Sequence, residues 1–412
     1  MAAADVVDPA PVLTPKPKKS PLRQRNFRLL LWGSSISLLG DQFYFIALPW
    51  LVLQQTGSAI AMGTVMMAGA IPRTALTLMG GAVSDRISPR KVMMFAACVR
   101  AILVGVIGLL IFSNRLQIWE LYVLAAVFGT ASAFDAPAAQ AFMPSLVQPE
   151  QLVGATSILE IRTLLATVIG PAPAGFIIRA LGIAWAFFID AISFLFIIGV
   201  LLRLPDPPAT QEDKKPIFFS IWEGLQYVSK DVPLRSLMLL ALGINFCLDG
   251  PIALGLAYIA KTRLGSPAML GMMLSAVAAG TLGGAAVAGL WKIRHRGIMI
   301  LLVAFALALM LGLLGVLNGK WSFPAISFLM GMTAGMADVH ISAWIMQRID
   351  ASVRGRVSSW LNLVAIGTAP FSLAVAGLLI AVSLKAMFLL AGSMLLLVTL
   401  VAATQKTVRQ IQ

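Results

Sequence analysis

Gly81-Ala82-Val83-Ser84-Asp85-Arg86-Ile87-Ser88-Pro89-Arg90-Lys91 sets one carboxylate and three basic side chains in a compact turn between two long apolar runs. The flanking runs, 60 to 83 and 92 to 112, carry one arginine each, Arg73 and Arg100. Runs of about 20 apolar residues match a hydrocarbon core roughly 30 Å thick, so the turn joins two membrane-crossing segments and is too polar to enter the membrane itself. It also recurs in weakened form. At one fixed offset without gaps, Asp41 falls on Asp249, Gly57-Ser58 on Gly265-Ser266, Gly63 on Gly271, Gly81 on Gly289 and Arg86 on Arg294. The chain is built from two copies of one unit.

Composition names the solvent. Of 412 residues, 59% are hydrophobic and 12% charged, about half the charge of an ordinary soluble domain, so most of the surface faces lipid. Twelve spans are predicted, at 26 to 53, 60 to 83, 92 to 112, 118 to 139, 153 to 180, 183 to 204, 234 to 259, 268 to 291, 297 to 317, 321 to 345, 354 to 381 and 385 to 404. Lipid offers no partner to free backbone groups, and runs of this length without period-two alternation form helices. The expected fold is an all-α membrane protein of two pseudo-symmetric six-helix bundles, 26–204 and 234–404. A tail at 1–25, a central linker at 205–233 and a tail at 405–412 complete it.

The net charge of +14 would suggest nucleic acid in a soluble chain. Its distribution excludes that. Twenty-two of the 31 Lys and Arg fall in the two tails, the linker and alternate loops; six fall in the opposite loops and three, Arg73, Arg100 and Arg162, inside spans. By the positive-inside rule both termini are expected in the cytoplasm of a bacterial inner membrane, with the basic loops meeting lipid headgroups. The linker's Ile221, Trp222, Leu225 and Val228 share one helical face, which predicts a short helix lying on the membrane surface. Dense small residues, as at 280–286 and 331–335, predict close helix crossings.

Two carboxylates stand near the midplane. Asp41 and Asp249 are each sixteenth in their spans, where an ionised side chain costs about 3 kcal/mol and is tolerated mainly when it faces a cavity. Ser34, Ser37, Asp41 and Tyr44 form a polar stripe at helical spacing, as do Asn245 and Asp249. Such a group suits proton carriage or a cationic substrate; the competing reading makes Asp41 the neutralising partner of Arg73. Glu160 and Arg162, with Asp135 and Asp338 at corresponding span ends, are expected to form an inner ion-pair network. Met62, Met66, Met67, Phe43, Tyr44, Phe45, Phe246 and Trp360 are candidates for a soft apolar cavity wall.

Gly81-x-x-x-Asp85-Arg86-x-x-x-Arg90-Lys91 is similar to the signature of the major facilitator superfamily between its second and third helices, and the likeness spans all twelve segments. Ser88 and Pro89 where that signature usually has Gly, Phe27-Arg28-Leu29-Leu30 before Gly40-Asp41, the Pro137 to Pro144 stretch and Arg354-Gly355-Arg356-Val357 resemble the drug and siderophore exporter branch, typified by macrolide-efflux and enterobactin-efflux proteins. Gly170-Pro171-x-x-x-Gly175, with alanine at 166 and 174, resembles the antiporter motif. The resemblance implies a gate lock at Gly81, Asp85, Arg86, Arg90 and Lys91. It also implies an outer seal at Gly170, Pro171 and Gly175, and export rather than import.

The reading that follows is a monomeric secondary transporter, exporting small lipophilic or amphipathic compounds in exchange for protons. A lipid or lysophospholipid facilitator of the same fold is one alternative, and a non-transporting membrane sensor or scaffold another. Its partners would be a small-molecule substrate, protons and membrane lipids, with no nucleic acid. No cofactor, metal or enzymatic activity is expected: His295 and His340 are isolated, Cys98 and Cys247 lie in different spans, and no Walker A, His-Glu-x-x-His or Gly-x-Ser-x-Gly pattern occurs.

Overall fold

The computed structural model of the chain describes residues 20–207, 225–290, 295–349, 363 and 366–409, and at 78, 80–86, 407 and 408 the backbone alone. Among the described residues there are helices and no strand. The first half contains α1 (Arg25–Thr56), α2 (Ala59–Arg86), α3 (Pro89–Phe112), α4 (Ile118–Phe142), α5 (Leu152–Ile169), α6 (Pro171–Leu181) and α7 (Ile183–Leu201). The second contains α8 (Val232–Gly250), α9 (Leu256–Thr262), α10 (Pro267–Leu290), α11 (Arg296–Val316), α12 (Ser322–Arg348), α13 (Ala369–Val382) and α14 (Leu384–Thr404). Ten described stretches are long and apolar enough to cross a membrane, with α5–α6 and α8–α9 each counting as one. The other two expected spans correspond to α12, 27 residues long, and α13, 14 residues long, before which 350–362 lies outside the described residues.

The burial pattern is that of a protein dissolved in lipid. Phe95, Ile102, Leu109 and Phe112 make an outward stripe along α3, each more than 60% exposed. The same helix turns Arg100, 4% exposed, inward. Water would reverse that arrangement.

The repeat survives in three dimensions. Gly57 and Gly265, matched in the sequence, both take the left-handed conformation, with φ of 63° and 59°, in the turns that lead into α2 and α10. Pairwise packing repeats as well: α2 on α4 and α10 on α12, α3 on α7 and α11 on α14, α1 on α7 and α8 on α14. The small-residue segments sit at crossings, since a Cβ on Gly280, Gly284, Gly331 or Gly335 would collide with backbone of the facing helix.

Two prolines break spans and are compensated differently. Gly170 and Pro171 separate α5 from α6, and Gly170 packs so close to Gln42 that a Cβ there would overlap its side chain. At Pro251 the helix widens into a π turn over Pro251–Gly255. Just before it the Ser372 hydroxyl enters the backbone ladder, accepting from the Gly250 amide at 2.7 Å and donating to the Phe246 carbonyl at 2.6 Å. A neighbouring side chain thus satisfies backbone groups that lipid could not.

The halves meet at the end away from the termini. There α6 crosses α10, with Gly175 against the backbone of Pro267 and Gly271 against that of Pro171, and the Ala172 amide donates to the Ser275 hydroxyl at 3.1 Å. By the pseudo-symmetry α2 crosses α13: a Cβ on Gly63 would stand 2.9 Å from the Leu373 carbonyl, and one on Gly377 3.0 Å from that of Ala59. The Lys261 ammonium covers the Trp50 ring at 4.9 Å. At the termini-bearing end Gly289, the counterpart of Gly81, has nothing among the described residues within 4 Å of its Cβ position.

Of the linker's expected helical face, Ile221 and Trp222 lie outside the described residues; Val228 is 3% exposed and packs with Leu234, Leu237, Ile300 and Trp344. Asp231 caps α8 through the Leu234 amide and pairs with Arg348 at 2.8 Å, fastening α8 to the end of α12.

Gly271→Val should separate the halves at their joined end, because its side chain has no room against the Pro171 backbone. Overpacking of this kind costs about 1–3 kcal/mol. The expected result is a lower Tm in detergent together with faster thiol labelling of a cysteine placed at Ala268.

Candidate functional site

A cavity of about 620 Å³ opens inside the first half, between α1, α3, α4, α5 and α7. Ser34, Ser37 and Asp41 face it from α1, Arg100 from α3, Asp135 from α4, and Glu160 and Arg162 from α5. Met143, Thr156 and Leu201 line it toward the termini-bearing end. At its deep wall Arg100 Nη2 lies 2.9 Å from Asp135 Oδ2, while Nη1 lies 3.8 Å from Asp41 Oδ1. The guanidinium also stacks over the Phe194 ring, 4.6 Å from its centre. Such a pair is held by mutual attraction in a low-dielectric wall, and removing one member leaves the other charge stranded.

The carboxylates outnumber the cation. Asp190 on α7 is fully enclosed and receives only a 3.4 Å contact from the Ser193 hydroxyl. Among the described residues neither Asp41 Oδ1 nor Asp190 Oδ2 has a hydrogen-bond donor. Gly40 makes this possible, since a Cβ there would overlap Ser193 and stand 2.8 Å from Asp190 Oδ1. On the far wall Arg162 donates through Nη1 to the Ser34 hydroxyl, which itself donates to the Leu30 carbonyl at 2.5 Å; Arg162 Nε has no partner.

Several sequence expectations are redistributed. Arg73 is exposed on α2 and is not the partner of Asp41; Arg100 is, because α3 rather than α2 carries its charge to the cavity wall. Tyr44 leaves the polar stripe and stacks on Phe128, ring centres 3.9 Å apart, in a cluster with Phe187. Asp135 pairs with Arg100, and Asp338 stands exposed on α12 in the other half; of the expected inner network the described residues show the Arg100–Asp135 pair and the Arg162–Ser34 contact. Glu160 lines the cavity as an exposed side chain. Arg354, Arg356 and Trp360 lie outside the described residues, as do the side chains of Asp85 and Arg86.

Arg90 and Lys91 are both held within their own half. Arg90 Nε donates to the Leu201 carbonyl at 2.7 Å, at the end of α7, and Lys91 lies 3.2 Å from Asp206. Asp206 also accepts from the Ser88 hydroxyl. That bond, then Lys91 and Arg90, holds the Asp206 carboxyl below the usual carboxylate range. A depressed value means the contact is present at neutral pH and is lost only as pH falls through that lowered value.

Asp249 belongs to a second cavity, of about 540 Å³, between the halves. Phe45, Met66 and Pro171 meet Ile252, Leu274 and Leu373 around it, and Gln42 and Thr167 add polar atoms. Asn245, half-buried one turn earlier on α8, is not part of that lining. Of the apolar candidates Phe45 and Met66 reach the wall, whereas Met62 and Phe43 are buried in the core. Consecutive residues of α1 thus face different spaces: Asp41 the charged cavity, Gln42 the apolar one.

The model of the Major Facilitator Superfamily matches residues 30–363. The chain belongs to the major facilitator superfamily. Within it, the chain is 27% identical over 406 residues to an uncharacterized MFS-type transporter, YfiS, of Bacillus subtilis, covering 94% of each. It is 27% identical to the multidrug efflux pump Tap of Mycolicibacterium fortuitum, over 93% of this chain and 96% of that one. It is 21% identical to macrolide efflux protein A of Streptococcus pyogenes, over 92% and 96%. Among solved structures it is similar in fold to the nucleoside transporter NupG, with a TM-score of 0.74 at 10% identity over 92% and 98% of the chains. A bacterial homologue of ferroportin in an inward-facing state gives 0.70 at 17% identity over 94% and 99%. This superfamily member is a multi-pass membrane transporter.

Arg100 and Asp190 were the residues that sequence reasoning passed over. Arg100 carried a signal, the lone charge inside the run 92 to 112; Asp190 carried a similar one, the lone carboxylate in 183 to 204. An intramembrane charge defaults to function until its partner is found, and neither partner can be found along the sequence. Arg100→Met should destabilise the transporter by about 3–5 kcal/mol, because it removes the cation that touches both Asp41 and Asp135. Thermal unfolding in detergent should show this loss, with Arg100→Lys retaining part of the stability and Arg73→Met matching the parent protein.

Proposed function

We propose that the protein is a proton-coupled exporter of small lipophilic or amphipathic compounds in a bacterial inner membrane, with both termini cytoplasmic. The observation that carries this reading is the excess of buried carboxylate around Arg100 on a cavity wall. One guanidinium balances one carboxylate, and a low-dielectric wall does not hold a second as an anion without further compensation. Protons are the simplest compensation, and the cavity gives them a path. A membrane potential of 100 mV supplies about 2.3 kcal/mol per charge moved, enough to bias an alternating cycle.

The substrate would occupy the apolar cavity between the halves, where Phe45 and Met66 offer adaptable surface. The likeness to multidrug and macrolide efflux proteins supports export of this compound class. Gly170, Pro171 and Gly175 would seal the outer side, and the Asp85 turn would close the inner side in the opposite state. In the inner-open state Arg90 and Lys91 would be stored on α7 and Asp206.

Purified protein in liposomes should release protons when a transported drug is added, and should accumulate that drug against its gradient under an imposed pH difference. Asp41→Asn should abolish the uphill accumulation and spare downhill exchange, since Asn keeps the shape and cannot titrate. An Asp41→Asn protein that still pumps uphill would end the assignment. Asp85→Asn should lower transport and raise labelling of cytoplasmic cysteines without loss of folding.

A further inference from the structure

Asp190 is the buried ionisable group to which the reading above gives no task. It lies on α7 behind the cavity wall, fully enclosed, one helical turn before Phe194, on whose ring the Arg100 guanidinium rests. Its only hydrogen-bonding neighbour among the described residues is the Ser193 hydroxyl, which has a single hydrogen. That hydrogen is directed to the Asp190 backbone carbonyl at 2.7 Å; the carboxylate oxygen stands farther off, at 3.4 Å. Among the described residues Oδ2 has no donor. An enclosed carboxylate anion needs several donors or a cation in contact, and this one has neither.

The charged and titratable groups facing it come from three helices. From α1 there are Asp41 and Tyr44, from α3 Arg100, and beyond it from α4 Asp135, which already holds Arg100 at 2.9 Å. None of them supplies a donor to Asp190 in this arrangement. The group is therefore a carboxylic acid here, keeping its own proton. Asp41, attached to the Gly40 that packs against Asp190, is 16% exposed to the cavity and has an oxygen without a donor. Resting on the proton-coupled reading, we infer that Asp190 is the internal proton-binding site of the transport cycle and that Asp41 is the port through which its proton reaches the cavity.

The transfer balances simply. The Asp190 O–H bond breaks as an O–H bond forms on Asp41, the charge moves to Asp190, and Asp41 then passes the proton to cavity water. Arg100 compensates the new anion by moving one turn along α7 from Phe194 to Asp190, and Asp135, whose side chain is 31% exposed, is left to be solvated by cavity water. Gly40 lets α1 approach α7 at this point, and a side chain there would collide with Ser193 and with Asp190 Oδ1.

Difference infrared spectroscopy on the reconstituted full-length protein, across a pH step, tests the assignment directly. Wild type should show a protonated carboxyl band that Asp190→Asn removes and Asp135→Asn keeps. In liposomes Asp190→Asn should bind and exchange drug downhill, while pH-driven accumulation falls to a ratio of one and proton release on drug addition is lost. Asp41→Asn covers the case in which Asp190→Asn does not fold: the band should persist and cease to respond to the pH step. A band that survives Asp190→Asn, or one that answers the step at the wild-type rate in Asp41→Asn, overturns the inference. Proton flux in both wild type and Asp190→Asn overturns the inference alone. No proton flux in wild type rejects the coupled reading and the inference with it.

Discussion

A guanidinium in the middle of a lipid-embedded helix must be paired, and in this protein the first half is arranged around that requirement. Among the described residues Arg100 is the only cation in contact with Asp41 and Asp135, and it is itself held by the Phe194 ring. Four helices supply these groups, α1, α3, α4 and α7, so the electrostatic need of one residue fixes their relative rotation. The cavity is what remains between them once the charges are brought together. Its polarity follows from the same cause: no other part of the described interior collects as many ionisable side chains.

The second constraint is steric and acts between the halves. At the closed end both crossings depend on glycine facing backbone, Gly175 and Gly271 at one and Gly63 and Gly377 at the other. Contacts without side chains are bistable: they form fully when the surfaces meet and offer nothing to hold a half-open state. At the termini-bearing end Arg90 and Lys91 bind within the first half, through Leu201, and to Asp206 just beyond α7. Among the described residues the halves are thus joined at the end away from the termini, an arrangement that suits a rocking transporter.

Features set by solvent and local chain geometry could be read from the sequence. Span length, the repeat, and the matched turn glycines Gly57 and Gly265 depend on residues close in sequence or on a fixed offset, and the fold follows from them. The charged site was legible only as a set of candidates. Asp41 was visible because a midplane carboxylate is costly wherever it points. Its partner was not, because Arg73 and Arg100 are equally conspicuous in sequence and only the rotation of α2 and α3 decides between them. Tyr44 shows the same limit: helical spacing places it one turn from Asp41, but the aromatic faces of Phe128 and Phe187 draw it away from the cavity.

Coupling between two cavities needs a part that belongs to both, and α1 is that part. Asp41 and Gln42 are adjacent residues, one on the charged wall and the other on the apolar wall beside Gly170. A substrate that displaces Gln42 must move the backbone that carries Asp41, because α1 is rigid over this turn and Gly170 leaves no slack on the opposite side. A change in the charge of Asp41 that alters its distance from Arg100 acts on Gln42 through the same backbone. The linkage is reciprocal, as any coupling free energy must be. Under the proposed exchange of substrate for protons it requires no path longer than one peptide unit, and the coupling would lie at the Asp41–Gln42 bond rather than in the distant gates.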